Sequence, residues 1–90
     1  GLDMKTLKEL RVEYGLTQEE LADLFKVTSR TIQNMEKDSS NIKDSLLKKY
    51  MDAFAVKYDD IFLGNEYENF VHLEEKKKSI ILTFKNKQLT

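Results

Sequence analysis

Four polar side chains between positions 29 and 34 have the types and spacing to read nucleic-acid bases: Ser29, Arg30, Gln33 and Asn34. Arginine can grip guanine O6 and N7 together, and glutamine or asparagine can do the same for adenine N6 and N7. Arg30 and Asn34 are four apart, as are Ser29 and Gln33, so a helix would put both pairs on one face. Thr31 could serve a phosphate or a thymine methyl. Other chemistries find no comparable grouping. His72 is the single histidine, with no second ligand or nucleophile, so a place on a strand surface suits it better than catalysis. Asp59-Asp60 looks like a carboxylate pair, but capping a short helix accounts for it better. The absence of cysteine removes disulfides, a thiolate nucleophile and zinc–thiolate sites, and fits a reducing cytosol. No catalytic or metal site assembles, and neither an enzyme nor a cofactor is expected.

The reading face needs a scaffold, and Thr17 to Lys37 supplies one. Two short apolar-periodic segments, Gln18 to Phe25 and Ser29 to Glu36, are joined by a short turn. Leu21, Ala22, Phe25, Val27, Ile32 and Met35 fall where two crossing helices would touch, and the polar set falls opposite. A helix that buries one stripe and shows hydrogen-bonding groups on the other suits the major groove of DNA. Thr17 can cap the first helix, with Glu20 completing a capping box, and Thr28 can cap the second.

Around this unit, Asp3 to Tyr14 reads as a first helix, capped by Asp3 and stopped by Gly15 in the left-handed conformation. Asp38 to Lys43 reads as a polar loop. A fourth helix is expected from about Asp44 to Phe54, with Leu46, Leu47, Tyr50, Ala53 and Phe54 on its apolar face. One more short helix is expected within Lys57 to Leu63, closed by Gly64. The fold class is therefore mainly α, a five-helix bundle core over residues 4–64. Residues 65–90 differ. Tyr67 to Leu73 and Ser79 to Phe84 are rich in aromatic and β-branched residues, which predicts two strands of a short β-hairpin with Glu74 to Lys78 as its turn. Lys76-Lys77-Lys78 would then be a solvated turn rather than a second DNA contact. Ile80, Ile81 and Leu82 would put apolar groups on both faces of the second strand, so this tail is the expected dimerisation element. Tyr50, Phe54, Phe62, Phe70 and Phe84 are core or interface candidates.

The 90 residues carry a net charge of −1, whereas phosphate binding wants a basic footprint. Distribution outweighs the sum. Between positions 26 and 49, Lys26, Arg30, Lys37, Lys43, Lys48 and Lys49 face only Glu36, Asp38 and Asp44, a net +3. Between positions 50 and 75, Lys57 stands against seven acids, a net −6. The basic block coincides with the reading face. No apolar run approaches the ~20 residues of a membrane helix, and no signal peptide is visible, so a cytoplasmic protein without membrane or small-molecule partners is expected. Gly1-Leu2-Asp3 ahead of Met4 reads as a remnant of recombinant expression.

From about Lys5 to Gly64 the chain resembles the Cro and repressor (XRE-like) helix-turn-helix domains of phages and bacterial regulators, and the λ-repressor-like fold is what that resemblance implies. The family wants alanine where its two helices cross most closely, and Ala22 is there. It wants apolar residues where Leu21, Phe25, Val27, Ile32 and Met35 stand. Thr17-Gln18 and Met35-Glu36-Lys37 also follow its pattern. Lys26 departs from it: glycine is common in that left-handed turn, and lysine there would carry about 1 kcal/mol of strain. By resemblance, Gln18 would face a phosphate at a helix N-terminus, and Ser29, Arg30, Gln33 and Asn34 would face the groove floor. Thr28, Thr31, Lys37, Asn41 and Lys43 would meet the DNA backbone.

The resulting expectation is a regulator that binds a double-stranded, pseudo-palindromic operator as a homodimer, in a bacterial or phage-infected cell. The chain's shortness favours a Cro-like phage protein. Two other readings stand beside it: an antitoxin-type autoregulator whose tail wraps a toxin, and a protein-interaction module that uses the fold without DNA.

Overall fold

In the computed structural model, which describes residues 3–89, the chain is mainly helical. Helices α1 (Leu7–Glu13), α2 (Gln18–Phe25), α3 (Ser29–Lys37) and α4 (Asp44–Phe54) are followed by a 3-10 turn (Tyr58–Asp60) and a long α5 (Glu66–Leu89). The core is built from apolar residues at helical spacing: Leu7 and Leu10 of α1, Leu21, Ala22 and Phe25 of α2, Ile32 of α3, and Leu46, Leu47, Tyr50 and Phe54 of α4. Tyr50 is fully buried, edge-on to Phe25 with ring centroids 5.0 Å apart. Such a contact adds about 0.5–1.5 kcal/mol beyond simple burial.

The caps of α2 and α3 form as their residue types dictate. The Thr17 and Thr28 hydroxyls accept the backbone N–H groups of Glu20 and Thr31. Lys26 is left-handed, at φ 57° and ψ 45°, as the turn between α2 and α3 requires. Ala55 takes the same conformation after α4 without any glycine to announce it.

The beginning of the chain departs from expectation. Asp3 does not cap α1. Thr6 does, in a capping box with Glu9, because the backbone of Lys5 is engaged elsewhere. The Lys5 N–H donates to Asp60 O at 2.9 Å and its carbonyl accepts from Phe62 N at 2.8 Å. The same pairing draws Ile61 into an extended conformation. The short helix expected within Lys57 to Leu63 therefore shrinks to Tyr58–Asp60, with Asp60 accepting from the Lys57 N–H. Gly64 has a different role from closing that turn. A side chain there would come within 2.9 Å of Glu68 Cβ, so glycine allows the tight entry into α5.

The expected C-terminal β-hairpin does not exist. Residues 67–84 lie inside α5, and no strand occurs among the described residues beyond the single Lys5–Ile61 bridge. Three physical signals outweigh the β-branched content. Asn65 and Glu68 form a capping box, each side chain accepting from the other's backbone N–H at 2.9–3.0 Å. Glu74 to Lys78 are good helix formers and hold no residue suited to a tight turn. Lys78 lies 4.0 Å from Glu75 one turn back.

His72 is correspondingly not a strand-surface residue. It is buried where α5 meets the start of the chain, its Nε2 2.8 Å from the Met4 carbonyl and its ring stacked on Phe62 at 4.2 Å. Lys76, expected in an exposed turn, instead pairs with Glu9 of α1 at 2.9 Å. Of the aromatic candidates, Tyr50 and Phe54 are core and Phe62 is half-buried, whereas Phe70 and Phe84 are exposed on α5.

Candidate nucleic-acid interface

Helix α3 buries Ile32 completely and leans Met35 on the core, with Val27 of the preceding turn packed there too, which leaves its opposite stripe outside. Arg30, Gln33 and Asn34 are exposed on that stripe and Ser29 is half-buried at its first turn. The structure thus brings the four expected base-reading side chains onto one helix, next to one another and facing out. Ala22, 3% exposed, occupies the interior between α2 and α3, where a larger side chain would push the two helices apart.

The expected backbone-contacting residues divide into three kinds. Thr31, Asn41 and Lys43 line one groove between α3 and the start of α4, floored by Val27, Met35 and Leu46, with a volume of about 300 Å3. Thr28 and Thr31 share a hydroxyl contact at 2.9 Å at the head of α3. Lys37 lies apart from that groove, exposed, with its ammonium 3.8 Å from Glu66 of α5. Gln18 sits in the first turn of α2, but its side-chain amide is already engaged, donating to Glu36 Oε1 at 3.0 Å.

That contact belongs to a network that sequence reading missed. Arg11 reaches from α1 to α3 and holds both carboxylate oxygens of Glu36, while its Nη1 donates to Leu16 O at 2.7 Å. The two side chains are 11% and 5% exposed. The hydrogen bond to Glu36 raises the Arg11 pKa further against a smaller opposing effect of burial, so the guanidinium stays charged. The pair fixes α3 on the body of the domain. It also neutralises Glu36, an acid inside the basic block that would otherwise oppose phosphates. One signal could have revealed it: Arg11 lies four residues after Leu7, on the face that α1 buries. Lys49 was missed as well. Its ammonium donates to the Phe25 carbonyl at 2.6 Å, closing the C-terminal end of α2 where a cation is favoured.

Among the described residues no group of three His, Cys, Asp or Glu side chains could hold a metal ion, and no helix is long and apolar enough to cross a membrane. The site is a convex polar helix face with basic neighbours. A family model described as helix-turn-helix matches residues 7–61. The chain belongs to this XRE-like helix-turn-helix family. The matched segment runs from α1 through the residue after the 3-10 turn, so α5 lies beyond it. Two proteins of Archaeoglobus fulgidus, each named an uncharacterized HTH-type transcriptional regulator, are similar to it. They are 39% and 36% identical over 62 residues, which is 69% of this chain and 87% and 89% of theirs. The uncharacterized HTH-type transcriptional regulator YgzD of Bacillus subtilis is 36% identical over 56 residues, 62% of this chain and 85% of its own.

Proposed function

We propose that this helix-turn-helix protein is a DNA-binding transcriptional regulator of the Cro/repressor type. In this reading α3 enters the major groove, with Ser29, Arg30, Gln33 and Asn34 on base edges. Thr28, Thr31, Lys37, Asn41 and Lys43 meet the sugar–phosphate backbone, as do the first backbone N–H groups of α2 beside Gln18. The observation that carries it is the exposed stripe of Arg30, Gln33 and Asn34 on a helix whose other side is anchored by Ile32 and by the Glu36–Arg11 pair. The regulator names of the relatives agree with it. Such a protein works in the cytoplasm of a bacterial or phage-infected cell.

The operator is pseudo-palindromic and the protein binds it as a homodimer, placing two copies of α3 in major grooves about 34 Å apart. If each subunit neutralises about five phosphates, the log–log salt slope of binding is about −9. Selection of binding sites from random duplex DNA tests this directly. A recovered inverted repeat, bound with that salt slope, is the expected result. Recovery of no preferred sequence, together with salt-independent mobility beside random DNA, would favour a protein-interaction module instead. An antitoxin-type regulator is the second reading, because α5 exposes apolar side chains that a toxin could cover; a small protein co-purifying in fixed proportion would support it.

A further inference from the structure

We propose that Lys49 is a positioning residue for base reading, a role that rests on the DNA-binding reading above. Reaching from α4, it fixes the end of α2 and so the angle at which α3 meets the groove, without touching DNA itself.

The end of α2 is the weak point of the helix pair. Lys26 holds left-handed backbone there, at φ 57°, which is unfavourable for a residue with a Cβ. The last turn of α2 carries no basic residue to offset the negative end of the helix. The Lys26 and Val27 N–H groups turn back to Asp23 O and Ala22 O, at 3.3 and 3.0 Å. The chain has then left the helix before any N–H of the next turn can return to the Phe25 carbonyl.

Helix α4 meets that need. Lys49 donates to Phe25 O at 2.6 Å, and the next residue, Tyr50, packs edge-on against the Phe25 ring. Neighbouring side chains of α4 thus grip the carbonyl and the ring of one residue. Leu46, one turn earlier, lines the same groove as Val27 and Met35. Thr28, the cap of α3, follows Phe25 closely, so a shift at Phe25 passes into α3 with little slack.

The rival role is a phosphate contact, because Lys49 lines the groove that also holds Thr31, Asn41 and Lys43. Its ammonium is already committed, however, to a charge-assisted bond that a phosphate would have to break. Asp52, which lines a cleft with Lys49, is taken by Lys48 at 2.9 Å, so this carboxylate does not draw Lys49 away from Phe25. The two roles differ in what they control. Bidentate contacts from Arg30 and Gln33 to bases need placement to about 0.5 Å, whereas a lysine meets a phosphate as a point charge. A loosened turn therefore weakens operator binding more than binding to random DNA.

Wild type, Lys49→Met and Lys49→Arg are compared on the selected operator and on random duplex across a salt series, with circular dichroism to confirm folding. Lys49→Met keeps the stem and loses the bond. Its operator-to-random affinity ratio is expected to fall by about tenfold with the salt slope unchanged, and Lys49→Arg to retain most of the ratio. A protein that merely folds less well loses the same factor on both duplexes and keeps its ratio. An unchanged ratio would overturn the proposal. Equal losses with a slope shallower by about 1 per subunit would show a phosphate contact and overturn it too.

A measurement without DNA separates this role from the DNA-binding reading. Lys26→Gly relieves the turn, so Lys49→Met should lower the urea midpoint roughly half as much in that background as in wild type. Additive effects would overturn the positioning role and leave base reading by α3 intact. Coupled effects with no operator recovered would sink the DNA reading, and the positioning of base contacts with it, while the brace on the turn stands.

Discussion

Arg11 and Glu36, 25 residues apart in sequence, meet with Nε–Oε2 at 2.5 Å and Nη2–Oε1 at 3.0 Å and tie the reading helix to the first helix of the domain. The geometry is bidentate and nearly free of solvent, so removing one partner strands the other charge. Glu36→Ala is expected to destabilise the fold by about 3–5 kcal/mol. Replacing both partners together with Arg11→Met and Glu36→Leu is expected to cost much less, because no buried charge is left alone. Urea denaturation of the three proteins checks this. A loss below about 1 kcal/mol for Glu36→Ala, the value usual for surface pairs, would show the pair to be solvated.

Two residues hold left-handed backbone without being glycine, Lys26 at φ 57° and Ala55 at φ 52°. Glycine removes the Cβ clash at both. Lys26→Gly and Ala55→Gly should each change stability by up to about 1 kcal/mol in the stabilising direction, offset by the greater freedom of glycine in the unfolded chain. Thermal melts settle the sign. Destabilisation of both variants would mean that the αL positions are not strained.

The docking of α5 on α1 depends on pH through Glu9. Burial pushes the Glu9 carboxyl upward, but the Thr6 backbone N–H and the Lys76 ammonium pull harder and leave its pKa below the ordinary value of 4.5. A carboxyl lowered in the folded state contributes stability above that ordinary value and loses it as pH falls through the lowered one. The protection of α5 amides, taken relative to their intrinsic exchange rate, should therefore fall below about pH 4.5, and Glu9→Gln should abolish that dependence. An equal fall in Glu9→Gln would assign the effect to another group.

Much of the domain was legible because its signals are local. Thr17 with Glu20, Thr28 with Thr31, and the apolar spacing from Leu21 to Met35 each act within one or two turns of chain. The placement of Arg30, Gln33 and Asn34 on the outside of α3 follows from that spacing. The Arg11–Glu36 pair was hidden because it joins residues far apart, and a charge on a buried face looks locally like a flaw. Asp3 lost its capping role for the same reason: Lys5 finds backbone partners at Asp60 and Phe62, near the other end of the domain.

Helix α5 was misread through composition. Val71, Ile80, Ile81 and Thr83 favour strands, yet Phe70, Leu73, Ile80 and Phe84 stand at helical spacing and Asn65 with Glu68 starts a helix. The apolar groups that suggested two faces of a strand lie on a single long helix. His72 follows from that correction. Only a helix turns it inward onto Phe62 and the Met4 carbonyl.

The central claim is that α3 reads bases through Arg30 and Gln33 while its basic neighbours hold phosphates. Lys43→Ala should weaken binding to all sequences alike and make the salt slope shallower by about 1 per subunit. The most direct measurement is the affinity of Arg30→Ala and of Gln33→Ala for the selected operator and for random duplex at one salt concentration. Each is expected to lose about 1–3 kcal/mol on the operator, with operator preference falling accordingly. Unchanged operator affinity in both variants would contradict the assignment of this face.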